Sequence, residues 1–209
     1  MVVHHINLVC WQEIDQLVPA DDRNQKIYCD SKSMYLICRL MGVKVLHITG
    51  STQIPFLQKQ LKCNRLTVLT PFDIDYFSHC QICVPEKLND VKAYALEIES
   101  KIPLHNTVAI GISSPKQNKL GLELYKLRHD LDIFCIGAVV ASFADRKKLQ
   151  VISKLSNSGF EWLFHLIATP LRTISKLKLT IFATLCLLFR QRKQFLDFCG
   201  KLAKNEARK

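Results

Sequence analysis

Short apolar, β-leaning runs alternate with segments of helical period along most of the chain, and this alternation restricts the fold more than any other feature. Val2 to Val9, Lys26 to Cys29, Val43 to Ile48, Leu66 to Leu69, Val108 to Ile110 and Leu131 to Ile136 read as strands. Between them, Ile54 to Leu61, Glu86 to Ser100 and Lys116 to Arg128 read as helices, as does a segment opening at Asp30-Ser31-Lys32-Ser33 with Met34, Leu36, Ile37 and Leu40 on its apolar side. Strands separated by helices pair through crossovers. The expected architecture is therefore α/β and Rossmann-like, a mainly parallel sheet with helices on both faces. Pro19 to Asn24 reads as a polar loop, Gly50 to Thr52 as a turn, and Pro71 to Pro85 has no clear period.

The stretch Val108-Ala-Ile-Gly-Ile-Ser-Ser-Pro-Lys-Gln117 is a strand breaking into a loop and then a helix. Gly111 permits close backbone approach, Ser113 and Ser114 are candidate caps, and Pro115 stands where a helix would begin. Open α/β sheets place ligands at such strand ends, where free backbone N–H groups and the helix dipole favour an anion. A phosphate or a sugar nucleotide fits that description. So does a plain strand-to-helix turn with no ligand.

With 209 residues and 48% hydrophobic content the chain can bury a full core. Its nine cysteines, an odd number scattered mostly among apolar neighbours, read as reduced core residues of a cytosolic protein. Cys80-Gln81-Ile82-Cys83 has C-x-x-C spacing, but no second pair and no nearby pair of histidines completes a tetrahedral zinc site, so no metal is expected. Met1 to Cys10 lacks the basic start and long apolar core of a secretion signal.

The net charge of +11 is concentrated at one end: from Arg172 onward ten Lys or Arg accompany two acids. Phe160 to Ile167 is too apolar for a solvated helix, and the apolar stretch from Leu179 to Phe189 is flanked by Lys176, Lys178, Arg190, Arg192 and Lys193. That stretch falls short of the roughly 20 residues a bilayer span requires. Basic residues beside a hydrophobic face suit a helix lying on an anionic membrane surface. They equally suit a core or dimerisation helix with solvated ends, which leaves a homo-oligomer open. No aromatic-basic interleaving points to nucleic acid. The expected division is a core over residues 1–170 and a basic amphipathic helical appendage over 171–209 that associates with membranes.

Gly111-Ile-Ser-Ser-Pro-Lys-Gln117, then Gly137, then Gly159-Phe-Glu-Trp-Leu-Phe-His-Leu166 with Pro170 and Arg172, resembles the ordered motifs of the WecG/TagA/CpsF family of bacterial glycosyltransferases. Upstream, His5-Ile6-Asn7, Cys29-Asp30-Ser31 and Ile48-Thr49-Gly50 are similar to further family motifs. The resemblance implies Gly where Ser31 stands, Arg at His47, Asp at Thr52, Glu at Asn118, an aromatic-Asp pair at Phe143-Ala144 and Arg at His165, and the chain differs at each. The resemblance implies transfer of a sugar of the N-acetylmannosamine or glucose type from a UDP-sugar to an undecaprenyl-diphosphate-linked saccharide. The product would be a cell-surface polysaccharide made on the inner face of the cytoplasmic membrane.

Under this resemblance Asp30 is the catalytic general base, with a helix cap as its plain structural role. Asn7, His47, Gly111, Ser113, Ser114, Lys116 and Gln117 are implied to bind substrate, and Arg172, Lys176 and Lys178 to close over the diphosphate. UDP departs with charge that cations and helix N-termini can stabilise without metal, so no cofactor is implied. The Glu161-Trp162 pair reads as structural. Two alternatives stand beside the enzyme: an inactive relative serving as an assembly subunit, and a basic membrane adaptor without sugar chemistry.

Overall fold

A computed structural model describes residues 1–17, 24–85, 87–142 and 170–207. Six strands, β1 Val2–Ile6, β2 Gln25–Cys29, β3 Leu66–Thr70, β4 Gln81–Cys83, β5 Thr107–Ile110 and β6 Asp132–Cys135, form one sheet in the order β2-β1-β6-β5-β3-β4. Every neighbouring pair is parallel, with His5 opposite Tyr28, Val3 opposite Phe134 and Ala109 opposite both Val68 and Phe134. β1, β3 and β5 are buried throughout because both faces of the sheet are covered, which is why they read as nearly continuous apolar runs.

Seven helices occur among the described residues: α1 Trp11–Leu17, α2 Lys32–Leu40, α3 Ile54–Lys62, α4 Val91–Ile98, α5 Lys116–Leu127, α6 Pro170–Phe189 and α7 Arg192–Ala207. One face of the sheet packs against α1, α2 and α7 beside β1 and β2, and against α4 and α5 beside β5 and β6. The other face, carrying Val3, Tyr28, Val68, Ala109 and Phe134, packs against Ile54 and Leu57 of α3, Phe77 and Val140. The sheet is thus the Rossmann-like α/β architecture expected, with helices on both sides.

The C-terminal helices divide their labour. In α7, Phe195, Phe198, Cys199 and Leu202 are buried in the same cluster as Trp11, Ile27, Met34 and Cys38. The Phe195 ring meets Trp11 edge-on at 5.2 Å, Cys199 Sγ lies 3.3 Å from Cys38 Sγ, and Lys201 pairs with Asp15 of α1. In α6, Leu187 is buried, whereas Ile174, Leu177, Ile181, Phe182, Leu185 and Phe189 are exposed at three- and four-residue spacing along one face. No helix among the described residues is long and apolar enough to cross a membrane.

Several local expectations need correction. Val43 to Ile48 is extended but not a strand: its single ladder contact is the parallel bridge of His47 to Cys29, because the segment touches the β2 edge only at its end. In α2 the buried face is Met34 and Cys38, while Leu36 and Leu40 are exposed. Asp90 caps α4 by accepting from Ala93 N–H at 2.9 Å, so that helix starts well after Glu86. The segment without a period holds a 3-10 turn at Asp75–Phe77 and the edge strand β4. No expectation anticipated α1, whose seven residues are too few to display a period. Phe160 to Ile167 and Pro19 to Arg23 lie outside the described residues.

If α7 is a fixed part of the core, truncating it should act as a core mutation. Phe198→Ala is expected to destabilise the protein by about 3–5 kcal/mol in urea unfolding, whereas Leu40→Ser on the exposed side of α2 should change it by less than about 0.5 kcal/mol.

Candidate functional site

Four adjacent strands, β2, β1, β6 and β5, end along one edge of the sheet, and the sequence-predicted site residues collect there. Asp30 follows β2 directly, and its own N–H donates to Ile6 O at 2.8 Å. It does not cap α2. That role falls to Ser31, whose Oγ accepts from Met34 N–H at 3.2 Å. The Asp30 carboxylate instead turns to the next loop, where Gly50 N–H donates to Oδ1 at 2.8 Å, and the side chain stays 39% exposed. A methyl group at Gly50 would lie 3.0 Å from Ile136 O, a backbone atom, so a larger residue would press this loop off the end of β6.

Two histidines flank the carboxylate. His47 Nε2 lies 3.1 Å from Asp30 O, a pure acceptor, so the ring donates there, and its face is 5.5 Å from the Tyr35 ring. His5 Nδ1 likewise donates to Ile48 O at 3.0 Å, with Asp30 Oδ1 at 4.0 Å. Burial outweighs the hydrogen bond to Ile48 and lowers the His5 pKa to about 4. The 4.0 Å contact is therefore not an ion pair at neutral pH. His5 Nε2 is a buried acceptor without a partner among the described residues.

The end of β1 supplies Asn7. Its Oδ1 accepts from Val9 N–H at 2.9 Å and Cys10 N–H at 3.3 Å, an Asx turn that swings the chain toward α1. The Cys10 thiol stays with the same turn, its Sγ 3.4 Å from Asn7 N and 3.5 Å from Asn7 O. Burial pushes this thiol up, so it is a packed sulfhydryl, not a thiolate.

The loop after β5 is held from below. A methyl group at Gly111 would lie 2.8 Å from Val140, which fixes glycine at this close approach. Ser114 and Pro115, joined by a cis peptide bond, lead into α5. Neither Ser113 nor Ser114 caps that helix. Ser114 Oγ donates to Asn118 Oδ1 at 2.8 Å, and Asn118 Nδ2 donates to His4 Nδ1 at 3.0 Å, both Asn118 and His4 being fully buried. Two N–H groups expected to face an anion are already engaged, Gln117 with Ser113 O at 3.3 Å and Asn118 with Pro115 O at 3.0 Å. The Gln117 side chain is buried beside Gly137, and its Oε1 has no partner among the described residues. Gly137 has φ 62°, a conformation that disfavours any side chain there.

The structure thus gathers Asp30, Asn7, His47, Gly111, Ser113, Ser114, Lys116 and Gln117 at one edge. Arg172, Lys176 and Lys178 stand on α6 and not at the strand ends. Gly159 to Leu166 and Phe143-Ala144 lie outside the described residues. Sequence reasoning missed the tether of Asp30 to Gly50 and the His4–Asn118–Ser114 chain. Glycine after a strand-like run signalled the first, but residues 114 positions apart gave no local signal of the second. No group of three or more His, Cys, Asp or Glu among the described residues converges as a metal-ligand set, Cys80 and Cys83 included.

The sequence matches the family model described as Glycosyl transferase WecG/TagA/CpsF family over residues 90–197, just over half of the chain. That span carries the Gly111 loop, α5, β6 and α6. No curated protein and no solved structure matches the chain.

The buried neutral His5 makes a pH prediction. The unfolded chain binds a proton near 6.5 and the folded chain only near 4, so stability should be full above about pH 6.5 and fall as pH drops toward 4, by up to about 3 kcal/mol from this group. Urea unfolding between pH 7 and 4 should show the slope, and His5→Gln should flatten it.

Proposed function

The chain belongs to the WecG/TagA/CpsF family of glycosyltransferases, and from that premise we propose that it transfers a sugar from a UDP-sugar to an undecaprenyl-diphosphate-linked saccharide during cell-surface polysaccharide synthesis. The observation that carries the proposal is Asp30: a partly exposed carboxylate tethered by Gly50 N–H at the same sheet edge as the Gly111 loop and Gln117. Asp30 acts as the general base. It takes the proton of the acceptor hydroxyl while that oxygen bonds the anomeric carbon and the bond to the UDP oxygen breaks, the electron pair leaving with UDP.

The donor lies over the loop from Gly111 to Lys116. Gly111, packed against Val140, holds the loop down on the sheet, Ser113 is exposed, and Lys116, half-buried at the first position of α5, adds positive charge at a helix N-terminus. Gln117 offers a buried amide with an unused acceptor, and Asn7 a side-chain N–H₂ whose partner oxygen is locked in the Asx turn. On this reading α6 lies on the inner face of the cytoplasmic membrane, its apolar stripe in the lipid and Lys178, exposed on that side, toward anionic headgroups, while Arg172 and Lys176 are assigned to the acceptor diphosphate. The reaction draws on no metal or cofactor.

One observation favours a second reading, a binding subunit without transfer. His47 stands where the family pattern has arginine, and its ring is engaged by Asp30 O and Tyr35, which supplies no bidentate charged fork for a phosphate.

The decisive experiment combines UDP binding with transfer. UDP should raise the melting temperature more than AMP does, and one member of a UDP-sugar panel should glycosylate a polyprenyl-diphosphate-linked acceptor. Asp30→Asn keeps an oxygen for Gly50 N–H, so it should lower kcat by about 10²–10⁴-fold and leave the UDP-induced shift intact. A UDP shift without transfer from any donor selects the binding subunit. Absence of both selects an adaptor without sugar chemistry.

A further inference from the structure

Between Asp30 and Asp73 the sequence contains no Asp or Glu but six Lys or Arg. Part of this acid-free stretch forms a surface with an unusual composition. The inner side of α2 is bolted to the core through Met34 and Cys38. Positions 32, 36, 39 and 40 lie on the opposite side at helical spacing, and there Leu36 is 50% and Leu40 86% exposed between Lys32 and Arg39. The chain after α2 then exposes Lys44 and, at 44%, Leu46, before His47 meets the end of β2 and Asp30 O. The patch therefore adjoins the candidate site at both ends, by Lys32 two residues past Asp30 and by Leu46 next to His47.

We propose that this α2 face and the segment from Val43 to Leu46 form a second membrane-contact surface, one that binds anionic phospholipid directly beside Asp30. The inference rests on the reading that the reaction takes place at a membrane. Chemistry selects the partner. Aliphatic side chains ringed by cations gain from acyl chains and anionic headgroups together. A nucleic acid would leave Leu36, Leu40 and Leu46 in water. A symmetric pairing of two copies would bring together two patches of the same positive charge, each carrying Lys32, Arg39 and Lys44. With α6 this gives two contacts on different elements, and two contacts fix the tilt of the domain over the lipid where one helix alone would let it swing.

Cosedimentation of the full chain with phosphatidylcholine vesicles, with and without 30 mol% (about a third) phosphatidylglycerol, tests this. The wild-type protein should bind the anionic vesicles. Leu36→Ser/Leu40→Ser/Leu46→Ser and, separately, Arg39→Gln/Lys44→Gln should each reduce binding, the latter by about fivefold per charge, without changing the melting temperature or the UDP-induced shift. Leu40→Trp adds an indole whose fluorescence brominated acyl chains should quench, a readout that tolerates a modest loss of affinity. Wild-type binding retained in both α2 variants, with loss only in an Ile181→Ser/Phe182→Ser variant of α6, overturns the second surface and leaves the membrane reading standing. A wild-type protein that binds no vesicle overturns both. A change from dimer to monomer in the leucine variant, with no loss of vesicle binding, assigns the patch to a second copy and also overturns the proposal.

Discussion

Six strands running in one direction are the constraint from which the rest of this structure follows. A parallel sheet puts every carboxyl end on one edge, and each connection must cross over to start the next strand. The order β2-β1-β6-β5 makes the ends of residues far apart in sequence into neighbours: Asp30, Asn7, Gly137 and Gly111 come from four successive positions along that edge. Close approach then selects small residues. Gly50 rests on Ile136 and Gly111 on Val140, and at either position a methyl group would meet atoms 3.0 Å away or nearer. Had the Gly50 loop stood off by a side chain, its N–H could not reach the Asp30 carboxylate as it does.

The parts of this arrangement that depend on local physics were legible in the sequence, and the parts that depend on distant partners were not. β3, β5 and α5 announce themselves because burial on two faces gives a continuous apolar run and burial on one gives a helical stripe. Val43 to Ile48 carries the same apolar run yet forms no strand, since β-structure requires a neighbour's backbone and β2 offers one only at Cys29 and His47. β4 fails in the opposite way: three residues at an edge, exposed at Cys83, show no pattern and become a strand only because β3 is there to pair with. At the site, the position of Asp30 after a strand was readable. Its release from capping was not, because that depended on which of two adjacent cap-competent residues, Asp30 or Ser31, took Met34 N–H.

The polar interior beneath the site is built from neutral groups. His4 accepts from Asn118, Asn118 accepts from Ser114, and His5 is held uncharged by burial, so these bonds between β1 and α5 position the loop after β5 without a buried charge. An acid at position 118 would bring a charge into a fully buried place. With Asn118 the same bonds form between neutral partners, at lower desolvation cost.

Charge, excluded from that interior, is placed at the rim and on the tail. α7 resolves an apparent contradiction in the C-terminal sequence, which is at once strongly basic and strongly apolar. Its Phe195, Phe198 and Leu202 fill the core beside Trp11, and its cations Arg192 and Lys193 stay in solvent. Anchoring α7 leaves α6 with nothing comparable to bury: Leu187 turns inward, while Ile181, Phe182, Leu185 and Phe189 remain on the outside. A helix tethered at one end by a packed neighbour and apolar on its free side has a fixed position and an unmet need for an apolar partner. Because the tether joins the cluster that also holds α2 through Cys38 and Met34, whatever α6 docks on is held at a set orientation to the strand ends and to Asp30.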